Sequence, residues 1–386
     1  MRSLIKTKCY ILIVLLCASC HEGQQNSCEA EYEAHIDEIK DTVQFQDIVA
    51  DYRIIPLETV AGCRIGEVSD LIVTDSLMYV ISDGVYCFNK AGHQRFAINK
   101  KGHAQNEYIK ISSVNIADGN IYIYDVMQGK VLIHDCVDGT FKRKIDTPYT
   151  VVKLFCNEKN TVADRSDLAC TVVPNDERFF VYSTNLPENV SEAFLAEEEN
   201  KVPIQGQTTS HENGFFFSNF WRCQTWKIGE NGCTPYLQLV FSPDYSIEKD
   251  EMNSLVESKN LLTESLDKAE KAWGLTNVHE NDCSITGDFR VGASPATFVF
   301  NKHTNTCIAY KGVTCEGPWQ PRPMCFITAF QEKMYTVIPA EDVVLIRMLK
   351  GLPTLPKQDA DMSNPYTVYC SVSENDNPVV VEYTLK

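Results

Sequence analysis

An internal repeat of about 45 residues constrains the fold of this chain more than any other feature. Residues 69–98 and 112–145 show the same pattern, in which apolar and polar residues alternate and polar turns interrupt the alternation. Alternation with a period of two is typical of β-strands that have one buried face. Gly92 and Gly139 fall in equivalent turns, 47 residues apart. Four short strands in about 40–50 residues form one blade of a β-propeller.

A single four-stranded sheet cannot bury both of its faces, so blades must stack around a common axis. Further strand-rich segments predict the third to sixth blades at residues 149–184, 206–241, 289–312 and 326–340 with 377–385. A first strand at residues 52–58 is expected to complete the last blade and to close the ring. The predicted fold class is therefore all-β, a six-bladed β-propeller of four-stranded antiparallel blades, NHL- or TolB-like, over residues 49–386.

One segment, residues 246–274, has a helical pattern instead. Its apolar residues Met252, Leu255, Leu262 and Leu266 are three, seven and four residues apart, as on one face of a helix. We predict one amphipathic helix inserted between the fourth and fifth blades. It either packs over a face of the propeller or moves over a ligand site.

The N-terminus resembles a bacterial lipoprotein signal. Basic residues precede an apolar run, Cys9–Ser19, which is too short to span a membrane comfortably. Small residues then lead to Cys20, the expected site of lipidation, although an ordinary cleaved signal is the alternative. We predict a signal peptide at residues 1–19, an acidic tether at 20–48 and an outer-membrane lipoprotein in the cell envelope that faces the periplasm or the cell surface.

Net charge and cysteine spacing limit which kinds of partner and cofactor are expected. The chain has 35 basic and 52 acidic residues, a net charge of -17, which disfavours nucleic acid because phosphates require a basic surface. The 16 cysteines show no zinc-type spacing in the predicted mature part, so no metal or other cofactor is expected. One pair among Cys307, Cys315 and Cys325 could form a disulfide. We expect a monomer.

Residues 50–146 resemble the six-bladed β-propeller lipoproteins common in Bacteroides-type bacteria. The resemblance rests on the sequences Ile-Pro-Leu-Glu-Thr, Ile-Gly, Phe-Asn-Lys-Ala-Gly and a Glu-Tyr pair at the end of a glycine loop. It implies a propeller fold, export and a lipid anchor. Relatives typically have Gly-x-Gly-x-Gly-Pro-Gly-Glu-Tyr in that loop, of which this chain retains Gly102, Glu107 and Tyr108.

No catalytic motif emerges from the sequence. The Gly-x-Ser-x-Gly elbow, a phosphate-binding glycine loop and His-Glu-x-x-His are all absent. The segment His-Glu-Asn at 211–213 is interpreted as a surface loop, and no catalytic residue is assigned.

Aromatic and arginine side chains are better candidates, because exposed Trp stacks on sugar rings and Arg donates to hydroxyls and carboxylates. The expected ligand-binding residues are Glu107, Tyr108, Trp221, Arg222, Trp319 and Arg322. The leading hypothesis is a non-catalytic module that binds a glycan, a peptide or an envelope protein. The alternatives are a propeller hydrolase or lyase acting on a carbohydrate or lactone, and a structural partner with a flat apolar patch.

Overall fold

The computed structural model describes residues 29–60, 63–147, 149, 151–165, 177–196, 206–211, 213–248, 270–317 and 320–386. Their strands form six four-stranded antiparallel sheets, two of which gain a short parallel strand at the outer edge. The four strands of each sheet follow the chain order, except that the outer strand of the last sheet comes from the start of the propeller. The predicted six-bladed β-propeller is confirmed. The signal peptide and Cys20 lie outside the described residues. Among the helices of the described part, none has the length and apolar character needed to cross a membrane.

The N-terminal segment runs along the outside of the ring before it enters a blade. Its elements are β1 (Tyr32–Ile36), β2 (Ile39–Lys40), β3 (Val43–Gln44), α1 (Phe45–Ile48) and β4 (Val49–Pro56). β1 and β2 pair in parallel with the outer strands of the fourth and fifth blades. The tether predicted to end at residue 48 is therefore too long. Unpaired edge groups of the outer strands accept these short strands, and Ala34 and Ile36 are buried there.

The first three blades follow in order. Blade 1 contains β5 (Asp70–Val73), β6 (Leu77–Ile81), β7 (Val85–Asn89) and β8 (Gln94–Ile98). Blade 2 contains β9 (Ile111–Ala117), β10 (Asn120–Asp125), β11 (Lys130–Asp135) and β12 (Phe141–Asp146). Blade 3 contains β13 (Lys153–Cys156), β14 (Asn160–Asp164), β15 (Glu177–Ser183) and β16 (Leu186–Ala196). The third blade extends 12 residues beyond its predicted end, because residue 184 closes a turn and is not the last strand.

The other three blades complete the ring. Blade 4 contains β17 (Gly206–His211), β18 (Gly214–Asn219), β19 (Gln224–Gly229) and β20 (Gly232–Phe241). Blade 5 contains β21 (Ala272–Glu280), β22 (Ser284–Val291), β23 (Ser294–Asn301) and β24 (Thr306–Tyr310), after which β25 (Val313–Thr314) pairs with β3. Blade 6 contains β26 (Thr328–Phe330), β27 (Lys333–Ile338) and β28 (Val379–Leu385), and β4 is its outer strand. The predicted closure of the ring by the first strand of the propeller is confirmed.

The predicted helix over 246–274 is only partly testable, because residues 249–269 lie outside the described residues. Its last residues are strand instead. Trp273 pairs with Arg290 across β21 and β22, and its indole N–H donates to Gly292 O at 3.2 Å. Blade 5 therefore begins at residue 272 and not at 289.

Alternation along the strands builds the core. Phe215 and Phe217 of β18 pack towards blade 3, whereas Phe216 between them packs towards blade 5. Similar clusters fill every interface between neighbouring blades, including the one between blades 6 and 1. Each blade thus buries both of its faces against its neighbours, as the repeat predicts.

The structure explains why the repeat has a glycine in the equivalent turns at positions 92 and 139. Gly92 and Gly139 have φ angles of 86° and 74°, a region that residues with a Cβ rarely adopt. Each turn also touches the outer strand of the preceding blade. A Cβ at Gly92 would lie 2.2 Å from Pro56 O, and one at Gly139 would lie 2.5 Å from the Phe96 ring.

The propeller has two different faces, because antiparallel strands alternate direction. The connections after the first and third strands of each blade form the hairpin face, and these are short turns. The connections after the second and fourth strands form the loop face, and several are long. The longest described one, residues 339–378, carries α2 (Ala340–Leu349), a short 3-10 helix (Lys357–Asp359) and α3 (Pro365–Ser371).

Helix α2 buries an arginine on the same face as the apolar residues Ala340 and Val343. Arg347 is buried, and its guanidinium donates to Cys370 O at 2.9 Å and Val372 O at 2.6 Å. Leu345 and Met348 are exposed instead. The sequence reasoning predicted neither α2 nor α3, since this stretch lacks a regular apolar period.

Candidate functional site

The first strand of every blade lines a central channel. Two chambers follow one another along it, one of about 490 Å³ at the hairpin face and one of about 260 Å³ at the loop face. Ser210 and His279 line both chambers, so they mark the point where the two meet. We call these the hairpin chamber and the loop chamber.

The loop chamber contains one carboxyl group, from blade 1, and one lysine, from blade 3. Asp70, at the start of β5, accepts hydrogen bonds from Leu71 N at 2.8 Å and from Ser210 Oγ at 3.3 Å. Lys153, at the start of β13, donates to Thr208 O at 2.8 Å. Enclosure by protein raises the pKa of Asp70, and the charge of Lys153 opposes this rise without cancelling it.

The histidines of the channel are held neutral. His279 is buried, and burial lowers its pKa to about 4 against a hydrogen bond with the backbone of Phe326. His211, at the end of β17, stacks on Phe216 with ring centres 4.3 Å apart, and burial likewise lowers its pKa to about 4. The interpretation of residues 211–213 as a surface loop is therefore wrong for His211, which ends an inner strand.

The hairpin chamber contains an ion network. Glu280 lies 2.7 Å from Lys302 Nζ and 3.2 Å from Lys227 Nζ. Burial alone would raise the pKa of Glu280, but the hydrogen bond from Lys302 and the charge of Lys227 outweigh burial and lower it. Lys227 also lies 4.0 Å from the centre of the Tyr236 ring within blade 4. Because Glu280 belongs to blade 5, the ion pair between Lys227 and Glu280 joins the two blades as well as lining the chamber.

Five of the residues predicted for ligand binding lie in the described part of the chain, and these five belong to connections on the loop face without forming one cluster. Tyr108 is buried, and its hydroxyl donates to Asp83 O at 2.8 Å. Glu107 accepts a hydrogen bond from Ala104 N at 2.9 Å and so shapes its own loop. Both side chains support the connection between blades 1 and 2.

Trp221 and Arg222 lie in the turn between β18 and β19. Trp221 is 8% exposed and stacks on Trp273 at 6.0 Å, and the Arg222 backbone N–H donates to Asn219 Oδ1 at 3.0 Å. Arg322 is exposed in the connection between blades 5 and 6. Trp319 lies outside the described residues. A binding role for all six predicted residues stays a prediction.

Sequence reasoning missed the channel residues Asp70, Lys153, Ser210 and His279. Lys153 gave the clearest signal, a lone charge within the apolar run Val151–Cys156. Such a residue inside a first strand points either to solvent or into the channel, and only the assembled ring distinguishes the two. The eleven cysteines of the described residues are all free, so the disulfide considered among Cys307, Cys315 and Cys325 does not form there.

Comparison with known proteins places the chain in a family. A family model for a domain of unknown function, DUF4934, matches residues 31–384. The chain belongs to this family. A crystal structure of a protein from Bacteroides fragilis NCTC 9343, assigned as exported, superposes with a TM-score of 0.69 at 15% identity, covering 92% of this chain and 99% of that chain. The predicted resemblance to Bacteroides-type propellers is confirmed.

More distant structures also align. A DUF4221 family member from Bacteroides vulgatus ATCC 8482 has a TM-score of 0.47 at 10% identity, covering 88% of this chain and 97% of that chain. A streptogramin B lyase has a TM-score of 0.38 at 10% identity, covering 74% of this chain and 80% of that chain. No curated protein matches the sequence.

Proposed function

We propose that this protein is a non-catalytic recognition module of the cell envelope that binds its ligand in the central channel. The carrying observation is the lining of the two joined chambers. It combines hydroxyls, amides and charged groups that converge on one cavity, and convergent polar groups are what orient a ligand in a binding pocket. The ligand is a glycan, a peptide or a segment of an envelope protein.

The pKa values of the two channel histidines and of Glu280 favour binding over proton transfer. An efficient general acid or base has a pKa near the working pH. Burial lowers the pKa of both His211 and His279 to about 4, and paired lysines lower that of Glu280. At neutral pH these groups therefore keep fixed charge states and serve as hydrogen-bond partners.

The envelope location of the proposal rests on residues 1–20 and is supported by the exported assignment of the Bacteroides fragilis relative. In this proposal Cys20 carries lipid and holds the propeller at the outer membrane, facing the periplasm or the cell surface. Labelling cells with an alkyne fatty acid tests it. The full chain should incorporate label and a Cys20→Ala variant should not, whereas equal labelling would contradict the anchor.

Blocking the channel tests the binding site. Ser210→Tyr places a large side chain where the two chambers meet, and Ser373→Tyr makes the same change on an exposed loop. A ligand found by thermal shift in a panel of glycans, peptides and envelope extracts should stabilise the wild type and the Ser373 variant only. Equal stabilisation of the Ser210 variant would remove the channel as the site.

An enzyme is the second candidate, because His211 and Glu280 line the same chamber. An acid and a base at one mouth are what a lyase or hydrolase acting on a carbohydrate or lactone requires. Incubation with polysaccharides and lactones should then give product, and His211→Ala should lower the rate by about 100-fold or more. Product formation that is unchanged in this variant would exclude the channel as an active site.

A further inference from the structure

Lys153 differs from the other lysines of the channel. Lys227 and Lys302 both lie within ion-pair distance of Glu280. Lys153 Nζ makes one hydrogen bond, to Thr208 O at 2.8 Å, and within the described residues no carboxylate lies within 4.0 Å of it. An ammonium group has three donors. Two of them therefore remain for a ligand in the loop chamber, in a protein whose net charge is -17.

The hydroxyl groups of the loop chamber are hydrogen-bond acceptors for a ligand, whereas Lys153 is a donor. Each of the five hydroxyl side chains that line it already donates its proton inside the protein: Ser69 to Ile81 O, Thr208 to Asp164, Thr209 to Val278 O, Ser210 to Asp70 and Thr336 to Cys325 O. A hydroxyl oxygen that has donated its hydrogen can still accept one. The walls therefore present mainly acceptors around one cation.

The side-chain amides of Gln207 and Asn277 add hydrogen-bond donors to these acceptors. Gln207 Nε2 donates to Asn277 Oδ1 at 3.3 Å, and Asn277 Nδ2 donates to an Asp288 oxygen at 3.0 Å. Each amide nitrogen keeps a second N–H. A ligand for this chamber should therefore offer one anionic group and several O–H donors.

We propose that the loop chamber binds a polyhydroxy carboxylic acid, namely a sugar acid of the hexuronate type, with its carboxylate on Lys153 Nζ and its hydroxyls donating to the acceptors around it. This inference rests on the proposed recognition function and specifies its ligand class. The carboxylate makes charge-assisted hydrogen bonds with the ammonium group. The hydroxyls distinguish this ligand from a simple carboxylic acid.

Size and electrostatics agree with one sugar unit. The loop chamber, about 260 Å³, is slightly below the ~300–1,000 Å³ typical of pockets for drug-sized ligands. The second acid nearby, Asp70, is a possible source of repulsion. Enclosure raises the pKa of Asp70, and a neighbouring carboxylate favours its protonated form further. Proton uptake by Asp70 on binding would remove this repulsion and let its carboxyl group donate a hydrogen bond to the ligand.

Matched ligands test the proposal by titration calorimetry on the propeller from residue 29 onward and on the full chain. The probes are D-glucuronate with D-glucose, D-galacturonate with D-galactose, and acetate. At least one uronate should bind, and its neutral partner and acetate should bind at least about 10-fold more weakly, because a charge-assisted hydrogen bond is lost in one case and the hydroxyl contacts in the other.

Variants distinguish a direct contact between Lys153 and the ligand from the general effect of removing a positive charge. Lys153→Met should weaken uronate binding by about 10-fold or more, and Lys153→Arg should keep most of it. Lys159→Met is the matched control, since Lys159 is exposed at the other end of the same blade. Should Lys153→Met fold poorly, the sugar pairs and the Lys153→Arg variant decide the question on folded protein.

The outcomes distinguish the two proposals. Equal binding of uronates and neutral sugars, or uronate binding that Lys153→Met leaves unchanged, would overturn the sugar-acid inference. If neither uronate binds but another ligand does so in a way that Ser210→Tyr abolishes, the sugar-acid inference is wrong and the recognition function stands. If uronates bind and Ser210→Tyr has no effect, both are wrong, because the site is then outside the channel.

Discussion

The two faces of the propeller are built from the same strands but use them differently. On the hairpin face, short turns repeat from blade to blade, as with Gly92 and Gly139. On the loop face, the described connections vary widely in length, from the two residues between β22 and β23 to residues 339–378, which carry α2 and α3. A repeated turn has a repeated structural task, namely contact with the preceding blade. A unique connection is free to position side chains around the end of the channel. We therefore expect substitutions on the loop face to act through lost side-chain contacts and substitutions on the hairpin face to act through backbone strain.

The largest effect is expected where the loop face is held together between blades 3 and 4. Within blade 3, Arg178 donates to Asp164 at 3.0 and 3.3 Å, and the two side chains are 9% and 0% exposed. The pair reaches blade 4 because Arg178 also donates to Gly206 O at 3.4 Å and Asp164 accepts a hydrogen bond from Thr208 Oγ1 at 2.9 Å. Arg178→Ala would leave the Asp164 charge buried without this partner and should lower the free energy of unfolding by about 3–5 kcal/mol. Denaturant titration measures this loss.

The control is an exposed ion pair. Lys144 and Asp146 lie 2.8 Å apart with side chains 34% and 70% exposed, so Lys144→Ala should cost less than about 1 kcal/mol. A loss below about 1 kcal/mol for Arg178→Ala as well would mean that the buried pair does not hold the two blades together.

Substitutions in the turns of the hairpin face should destabilise the fold through backbone geometry. Gly92→Ala imposes a Cβ at φ 86° and 2.2 Å from Pro56 O. We expect a loss of about 2–4 kcal/mol in the free energy of unfolding from strain and overpacking together. Gly119 separates the two effects, because its φ is 72° but a Cβ added there would meet no atom within 4 Å.

Gly119→Ala should therefore cost only about 1 kcal/mol, the strain of the left-handed conformation. Equal losses for the two glycine variants would show that contact with the preceding blade is not what requires glycine at position 92.

The same contrast explains how much the sequence could predict. The pattern around Gly92 and Gly139 is periodic, so it predicts blades, turns and ring closure. The candidate site has no period. Asp70, Lys153 and His279 come from three blades and are more than 80 residues apart in sequence. Only the closed ring brings them to one channel.

Local pattern reasoning also fails where a residue has an unusual environment. In α2, Arg347 is buried beside Val343 while Met348 is exposed, which weakens the amphipathic pattern from which helices are recognised. Trp273 falls within the predicted helix at residues 246–274, because it lies seven residues after Leu266 and so continues the helical spacing. Its real constraint is pairing with Arg290 in β21 and β22, a contact that no local window includes.

A smaller change in stability is expected when the pH is lowered, and it comes from His279 in the channel between the two faces. Burial lowers the pKa of His279 from 6.5 to about 4. The unfolded chain therefore binds a proton that the folded protein rejects between these values. The stability from neutral His279 is complete above pH 6.5 and is lost as pH falls towards 4. Between about pH 7 and pH 5 this should remove about 1–2 kcal/mol.

His279→Gln should reduce this loss, measured by denaturant titration at the two pH values, whereas His303→Gln at an exposed turn should not. Asp70 acts with the opposite sign. Enclosure raises its pKa, so its contribution is present below 3.8 and is lost as pH rises through the raised value. An unchanged pH dependence in the His279 variant would mean that this imidazole is not excluded from protonation by burial.

The smallest effect on stability should come from the rim of the loop face, where Arg322 is exposed. Arg322→Ala should change the free energy of unfolding by no more than about 0.5 kcal/mol. Its effect on binding decides between rim and channel. A rim charge is screened by solvent and salt, so the variant should weaken uronate binding by no more than about threefold. Lys153→Met is the reference. If Arg322→Ala weakens binding as much as Lys153→Met does, the exposed loops and not the channel wall provide the anion contact, and the loop face itself is the binding surface.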